Sequence, residues 1–203
     1  MRYKEDHKEQ IRQKILQSAA ARLRSKGIAA SGVVGLMADV GLTQGGFYAH
    51  FKSKDALVRE SLQTAMLHLY QSVQNTMAAS NGKPLEAFLD QYLSHAHRDT
   101  PAAGCVASAL SGEIRESSEE IRDMFTLQVK NMTALLAEAL PNEWKNEERQ
   151  AYAEMIYATL VGSMSLARAV NDEAVSNRLL TNAREQILSM VRSKAVTLLA
   201  SGI

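Results

Sequence analysis

Apolar positions recur at helical spacing along most of this 203-residue chain. In the first run, Ile11, Ile15, Leu16, Ala19, Ala20 and Leu23 share one face, which predicts a helix over Glu5–Lys26. Gly27 follows the last basic residues of that run, as a C-cap glycine would. Two shorter runs come next. Val33–Val40 ends at Gly41, and a second run opens at Thr43 and closes on Phe47, Tyr48 and Phe51. Two short helices around a glycine turn have the pattern of a helix-turn-helix. Ser53-Lys54-Asp55 then predicts a cap opening a helix to about Asn75. Pro84, Pro101 and Pro141 divide what remains into long helical segments. These are Leu85–His97, Cys105–Ile114, a run capped by Ser117/Ser118 to about Leu140, about Lys145 to Val170, and about Glu173 to Ala200. No segment shows sustained period-two alternation of β-branched residues, so the expected fold is all-α.

Composition sharpens the division of labour. The formal charge is only +1, but its distribution is uneven. Residues 1–54 hold ten Lys/Arg and four acids, a net +6, and the rest hold thirteen and eighteen, a net −5. A basic head on an acidic body suits a phosphate-facing module joined to a separate domain. The expected boundaries are 1–54 for the head and 55–203 for the body. The single cysteine, Cys105, excludes an intrachain disulfide and fits a reducing cytoplasm. The N-terminus has no apolar core of a signal peptide. The charge-free stretch Met155–Ala167 is too short for a bilayer, which needs about 20 residues, so no membrane partner is expected.

The chemistry of the motif follows from its residues. In a helix-turn-helix the second helix enters the major groove and its first residues reach base edges. Thr43 can cap that helix, whose N-terminal N–H groups suit a phosphate. Gln44 is the best base reader present, since an amide can pair bidentately with adenine. Gly45 and Gly46 allow close approach of backbone to DNA, at a cost of about 1 kcal/mol each in helix propensity. Phe47 and Phe51, at i and i+4, should face the core. Tyr48 and His50 then point elsewhere, towards phosphates or base edges, and Lys52 and Lys54 follow as phosphate ligands. A buried helical hairpin with a polar outer face would share this spacing.

Gly27, Leu36, Gly41-Leu42-Thr43, Gly45, Phe47-Tyr48, His50-Phe51 and Ser53-Lys54-Asp55-Ala56-Leu57 resemble, in order and spacing, the N-terminal pattern of the TetR family of bacterial transcriptional regulators. The resemblance covers about residues 8–57. It implies an N-terminal three-helix DNA-binding domain and a larger C-terminal helical domain for ligand binding and dimerisation. It also implies backbone contacts from Tyr48 and Lys54, with Thr43–Gly46 lining the groove. Gly32 stands where the family has a hydroxyl residue, so Ser31 is expected to supply that cap and joins the DNA-binding set.

The body is then expected to dimerise and sense. A lone motif contacts too few bases, and dimers solve this with half-sites about 34 Å apart or multiples of that. Ala158, Gly162, Ser165 and Ala169 form a small-residue stripe on the penultimate helix. Leu180, Ala183, Ile187, Val191, Ala195 and Leu198 form an apolar stripe on the last. The resemblance implies a four-helix homodimer interface from these helices, although both stripes could equally be intrachain core. Tyr92, His95, Met124, Phe125, Met132, Tyr157 and Met164 are candidates for an effector pocket, against the alternative that they are core. Cys105 joins them. It follows Pro101–Gly104 and opens a predicted helix, and a helix N-terminus favours the thiolate. The resemblance implies that a Gly-Cys at this place can sense oxidants or electrophiles. The competing reading is a small buried hydrophobe.

His95, His97 and Asp99 do not make a metal site, because i and i+2 lie on different helix faces. No nucleophile elbow, phosphate loop or catalytic carboxylate pair is visible, so neither an enzyme nor a cofactor is expected. The sequence thus points to a cytoplasmic, dimeric regulator, more readily a repressor than an activator. It would bind a palindromic double-stranded operator and be released by a small-molecule or redox effector. The alternative is a helical adaptor module that does not read DNA.

Overall fold

The computed structural model describes the backbone of residues 2–200, and the side chains of 6–194 and 196. Among these residues it is all-helical, with no strand. The α-helices are α1 (Arg2–Lys26), α2 (Val33–Ala38), α3 (Lys54–Ala78), α4 (Pro84–Tyr92), α5 (His95–Asp99), α6 (Val106–Ile114), α7 (Glu119–Glu138), α8 (Asn146–Ala169) and α9 (Glu173–Ala200). Short 3₁₀ turns occupy Gln44–Ala49 and Pro101–Ala103. The chain divides into two compact units. One is Met1–Leu69 with Pro101–Gln128, and the other is Tyr70–Thr100 with Val129–Ile203.

The first unit has two apolar clusters, and α1 serves both. Ile15, Leu16 and Ala19 pack with Leu36, Met37, Phe47, Phe51 and Leu57. One turn later, Ala20 and Leu23 pack with Val58 and Leu62 of α3, Val106, Leu110 and Ile114 of α6, and Ile121 and Met124 of α7. The first cluster fixes the motif. Full burial of a side chain such as Phe47 contributes about 1.5–3 kcal/mol. This unit takes in more of the chain than the segment 1–54, because α6 covers the flank of α1.

Two elements differ from the expected pattern. The second motif helix is 3₁₀, with Gly46 N–H donating to Thr43 O at 3.1 Å. Gly45 and Gly46 are weak α-formers, so the tighter turn prevails over a short α-helix. The expected helix 85–97 breaks after Tyr92. Ser94 starts a new helix there, its hydroxyl accepting from His97 N–H at 3.1 Å.

In the second unit α8 packs along α9, while α4 rests on α9 and α5 on α8. Arg168 of α8 donates to the carbonyls of Arg98 and His97, and Arg98 donates to Ser176 and Asn177 of α9. Asp172 caps α9, accepting from Val175 N–H at 3.0 Å. No helix among the described residues is long and apolar enough to cross a membrane.

Candidate nucleic-acid interface

The motif is a small rigid wedge. Phe47 is 1% exposed and Phe51 3%, and their rings lie 5.8 Å apart over Leu36 and Met37. This inward pair turns the intervening side chain out, leaving Tyr48 72% exposed with its ring edge-on to Phe47. Thr43, Gln44, Gly45 and Lys52 are exposed beside it, and Gly46, His50 and Lys54 are half-buried. The face assembled by 43–54 is therefore polar, aromatic and cationic.

Several supports hold this face. Arg12 forms an ion pair with Glu60, and its guanidinium lies 4.9 Å over the Phe51 ring. Arg22 bonds Asp39 at 2.9 Å, tying α1 to the end of α2. Ser53 caps α3, its hydroxyl accepting from Ala56 N–H at 3.0 Å. Lys8, Glu9, Arg12, Ala49 and His50 line a cleft of about 280 Å³. Burial lowers the His50 pKa from 6.5, Lys8 and Arg12 lower it further, and Glu9 opposes them. Its Nδ1 is buried and has no hydrogen-bond partner among the described residues. A neutral imidazole beside two cations is ready to take a proton when an anion arrives.

Two expectations at this face, the caps from Ser31 and Thr43, are corrected, and the Lys54 ammonium proves partly engaged. Ser31 is fully buried, and its hydroxyl donates to Gly27 O at 2.6 Å, so it neither caps α2 nor reaches DNA. The residue preceding α2 is Gly32, which has no side chain to cap with. Thr43 precedes the 3₁₀ turn but makes no side-chain cap. Lys54 is not a free cation, since its ammonium donates to Ile28 O at 3.1 Å. An ammonium has three N–H donors, which leaves two for a phosphate.

The effector candidates fall into both units. In the first, Cys105 is 1% exposed and immediately precedes α6, while Met124 and Phe125 pack in the α3–α6–α7 core. Arg24 lies beside that cysteine and donates to Ala102 O. Burial lowers the Arg24 pKa, and the field of Cys105 opposes the shift. In the second unit Tyr92, Met132, Tyr157 and Met164 are buried, whereas His95 is exposed. Two clefts of that unit, of about 390 and 360 Å³, are lined by other residues, among them Gln74, Met77, Leu135 and Glu143.

The expected dimer stripes separate as well. Leu180, Ala183 and Ile187 are buried against their own chain, at 2%, 7% and 3% exposure, and Val191 is half-buried in a cleft wall. Leu180, Ala183 and Ile187 are thus covered within the chain and not open to a second copy, whereas Val191 keeps part of its surface exposed. Ala195 and Leu198 lie outside the described side chains. The α8 stripe is open instead, with Ala158 and Ala169 exposed and Gly162 and Ser165 half-buried. Met155 (39%), Leu166 (54%) and, on α9, Val196 (65%) are large apolar residues left exposed.

Sequence reasoning missed Glu113. It lies 85 residues from the loop it touches, and its carboxylate accepts from Ile28 N–H at 2.8 Å and Ala29 N–H at 3.0 Å. The one available signal was Gly27, whose open side admits that carboxylate.

Comparison with known proteins shows what these features are similar to. Residues 15–61 match the family model described as bacterial regulatory proteins, tetR family. The chain is 24% identical over 161 residues to the HTH-type transcriptional repressor NemR of Escherichia coli K12, covering 75% of this chain and 81% of that one. The crystal structure of E. coli NemR in its reduced form superposes with a TM-score of 0.75 at 22% identity, over 88% of this chain and 95% of that one. A TetR-family transcriptional regulator from Cytophaga hutchinsonii superposes with a TM-score of 0.76 at 18% identity, over 90% and 96%.

Proposed function

We propose that this chain, a TetR-family protein by its N-terminal segment and its fold, is a dimeric repressor that binds a palindromic DNA operator and is released by an effector. The observation that carries this reading is the outward wedge on a buried Phe47–Phe51 pair, with Gln44, Tyr48 and Lys52 exposed together. Gln44 is the base reader, Tyr48, His50, Lys52 and Lys54 are backbone ligands, and Gly45 and Gly46 admit close approach. The segment 1–54 reads DNA and 55–203 dimerises and senses. The subunit surface is the open α8 stripe of Met155, Ala158, Gly162, Ser165, Leu166 and Ala169, with Val196 of α9.

The effector is a small molecule or an oxidant acting at Cys105. The second form is favoured by the place of that thiol, between the Arg24 guanidinium and the start of α6. The relative crystallised in a reduced form supports considering it. Its burial means that an oxidant must first open the Pro101–Gly104 turn.

Fluorescence anisotropy against duplexes from the DNA flanking the coding sequence tests the core of the proposal. Saturable, salt-sensitive binding to one near-palindrome is expected, with Tyr48→Phe and Lys52→Ala weakening all sequences alike. Gln44→Ala should relax preference at one base pair, by about 1–3 kcal/mol of discrimination. Equal affinity for operator and random competitor would leave only the adaptor reading.

A further inference from the structure

We infer that Glu113 of α6 is a positioning residue for DNA binding, acting through the peptide unit joining Ile28 and Ala29. This rests on the DNA-binding reading above. That peptide is held at both ends by opposite charges. Its carbonyl, Ile28 O, accepts from the Lys54 ammonium at 3.1 Å, and its N–H, on Ala29, donates to Glu113 Oε2 at 3.0 Å. The same carboxylate oxygen takes the Ile28 N–H at 2.8 Å. Three charge-assisted hydrogen bonds thus meet on two consecutive residues of the α1–α2 loop.

The local geometry is built for this. Gly27 ends α1 in the left-handed region, with φ +87°, its N–H donating to Leu23 O at 2.8 Å. That turn exposes the next two N–H groups on one side of the loop. A β-carbon on Gly27 would lie 2.6 Å from Glu113 Oε1, so the carboxylate occupies the space that only glycine leaves. Ser31, fully buried, closes the same turn from within through Gly27 O. Immediately after it comes α2, so the hold on 28–29 sets where α2 begins relative to α1. The hold also decides where Lys54, a backbone ligand, keeps its ammonium. α6 therefore determines the arrangement of the reading face while lying off the motif itself.

The sign of the effect separates this role from simple electrostatics. Removing an acid from a DNA-binding unit strengthens attraction to phosphates, whereas loss of positioning weakens it. Operator affinity per active molecule, with the active fraction set by stoichiometric titration, should fall at least fivefold in Glu113→Ala. It should fall about twofold in Glu113→Gln, whose amide oxygen still accepts. Glu116→Ala removes an equal charge from an exposed residue that pairs, among the described residues, with its neighbour Arg115, and should bind as wild type or slightly tighter.

Hydrogen exchange at the Ile28 and Ala29 amides provides a readout independent of DNA. Both should exchange faster in the two Glu113 variants, with neighbouring α1 amides unchanged. Unchanged protection in Glu113→Gln, or an affinity equal to or above wild type in Glu113→Ala, overturns the inference. A wild-type chain that binds no duplex overturns the reading beneath it instead, and the exchange data still decide the role of Glu113 in holding the loop.

Discussion

Replacing glycine by alanine at two turns isolates the contribution of the Glu113 contact to stability. Gly27 and Gly41 both have positive φ, +87° and +73°. A β-carbon at Gly41 meets nothing within 4 Å, whereas at Gly27 it meets Glu113 Oε1 at 2.6 Å. The left-handed conformation costs a non-glycine residue about 1–2 kcal/mol. Reduced freedom of the unfolded chain returns about 0.4–1 kcal/mol at either site. Gly41→Ala should therefore destabilise by about 0–1.6 kcal/mol. Gly27→Ala also pushes the carboxylate away from two N–H groups. Hydrogen bonds to a charged group contribute about 1.5–3 kcal/mol each, but the side chain is flexible and the loop partly open, so an excess of about 1–2 kcal/mol is expected. In a chain of this length 1 kcal/mol moves Tm by about 2–4 °C, which places Gly27→Ala about 2–8 °C below Gly41→Ala. Thermal melts followed by circular dichroism at 222 nm measure this directly. The double variant Gly27→Ala/Glu113→Ala should lose the excess, because the displaced partner is already gone. Equal melting of the two glycine variants, or an additive double variant, would refute the reasoning.

Three further outcomes follow from the geometry. A phosphate entering the cleft beside His50, Lys8, Glu9 and Arg12 favours the charged ring, whose pKa is depressed in the free protein. Binding then takes up a proton, so operator affinity should rise as pH falls through the histidine range, and His50→Gln should flatten that slope. Gly162 has open space around its absent side chain within the protomer, so Gly162→Leu should fold but disrupt pairing across α8. Sedimentation should show it as a monomer, whereas Ile187→Ala, in the chain's own core, should keep the wild-type mass and lose about 2–5 kcal/mol of stability. Burial depresses the His97 pKa, the Tyr92 carbonyl opposes, and Arg168 adds to the depression. A depressed histidine gives stability that is present above its unfolded pKa of 6.5 and lost as pH falls through the folded one. The urea midpoint should therefore drop on acidification below that value, and less so in His97→Gln.

The motif was legible because it is specified locally. Gly41, Phe47 and Phe51 stand within eleven residues, and helical spacing alone assigns the inward pair and leaves Tyr48 outside. Ser94 was equally readable as a cap, yet the apolar run Phe88–Leu93 masked the break. The stripes were a different problem. A row of apolar residues at helical spacing records that a face is covered, not whether its own chain or a second copy covers it. Leu180, Ala183 and Ile187 are covered by their own chain, while the small residues of α8 stay open. Glu113 was beyond local reading, since its partners are two backbone N–H groups 85 and 84 residues away and Gly27 marks only that something approaches, not what.

The surplus of basic residues in 1–54 overstates what a nucleic acid would meet. Arg12, Arg22 and Arg24 are each engaged by a partner inside the first unit, and Lys54 holds Ile28. Among the described residues near the wedge, the cations able to meet phosphate are Lys8, Lys52 and the two remaining donors of Lys54. The side chains of Arg2 and Lys4 lie outside the described residues. Presented twice by a dimer, these three would neutralise about six phosphates, and a log–log salt plot should slope near −5. If all ten basic residues of each head took part, twenty phosphates would be neutralised and the slope would approach about −18. A titration between 50 and 200 mM salt separates the two easily. A slope approaching about −18 would mean that Arg12 and Arg22 leave the carboxylates of Glu60 and Asp39, and Arg24 the Ala102 carbonyl, so that the scaffold holding Phe51 and α2 reorganises on the operator. A shallow slope would mean that these ion pairs survive, and that the wedge meets DNA already in its final form.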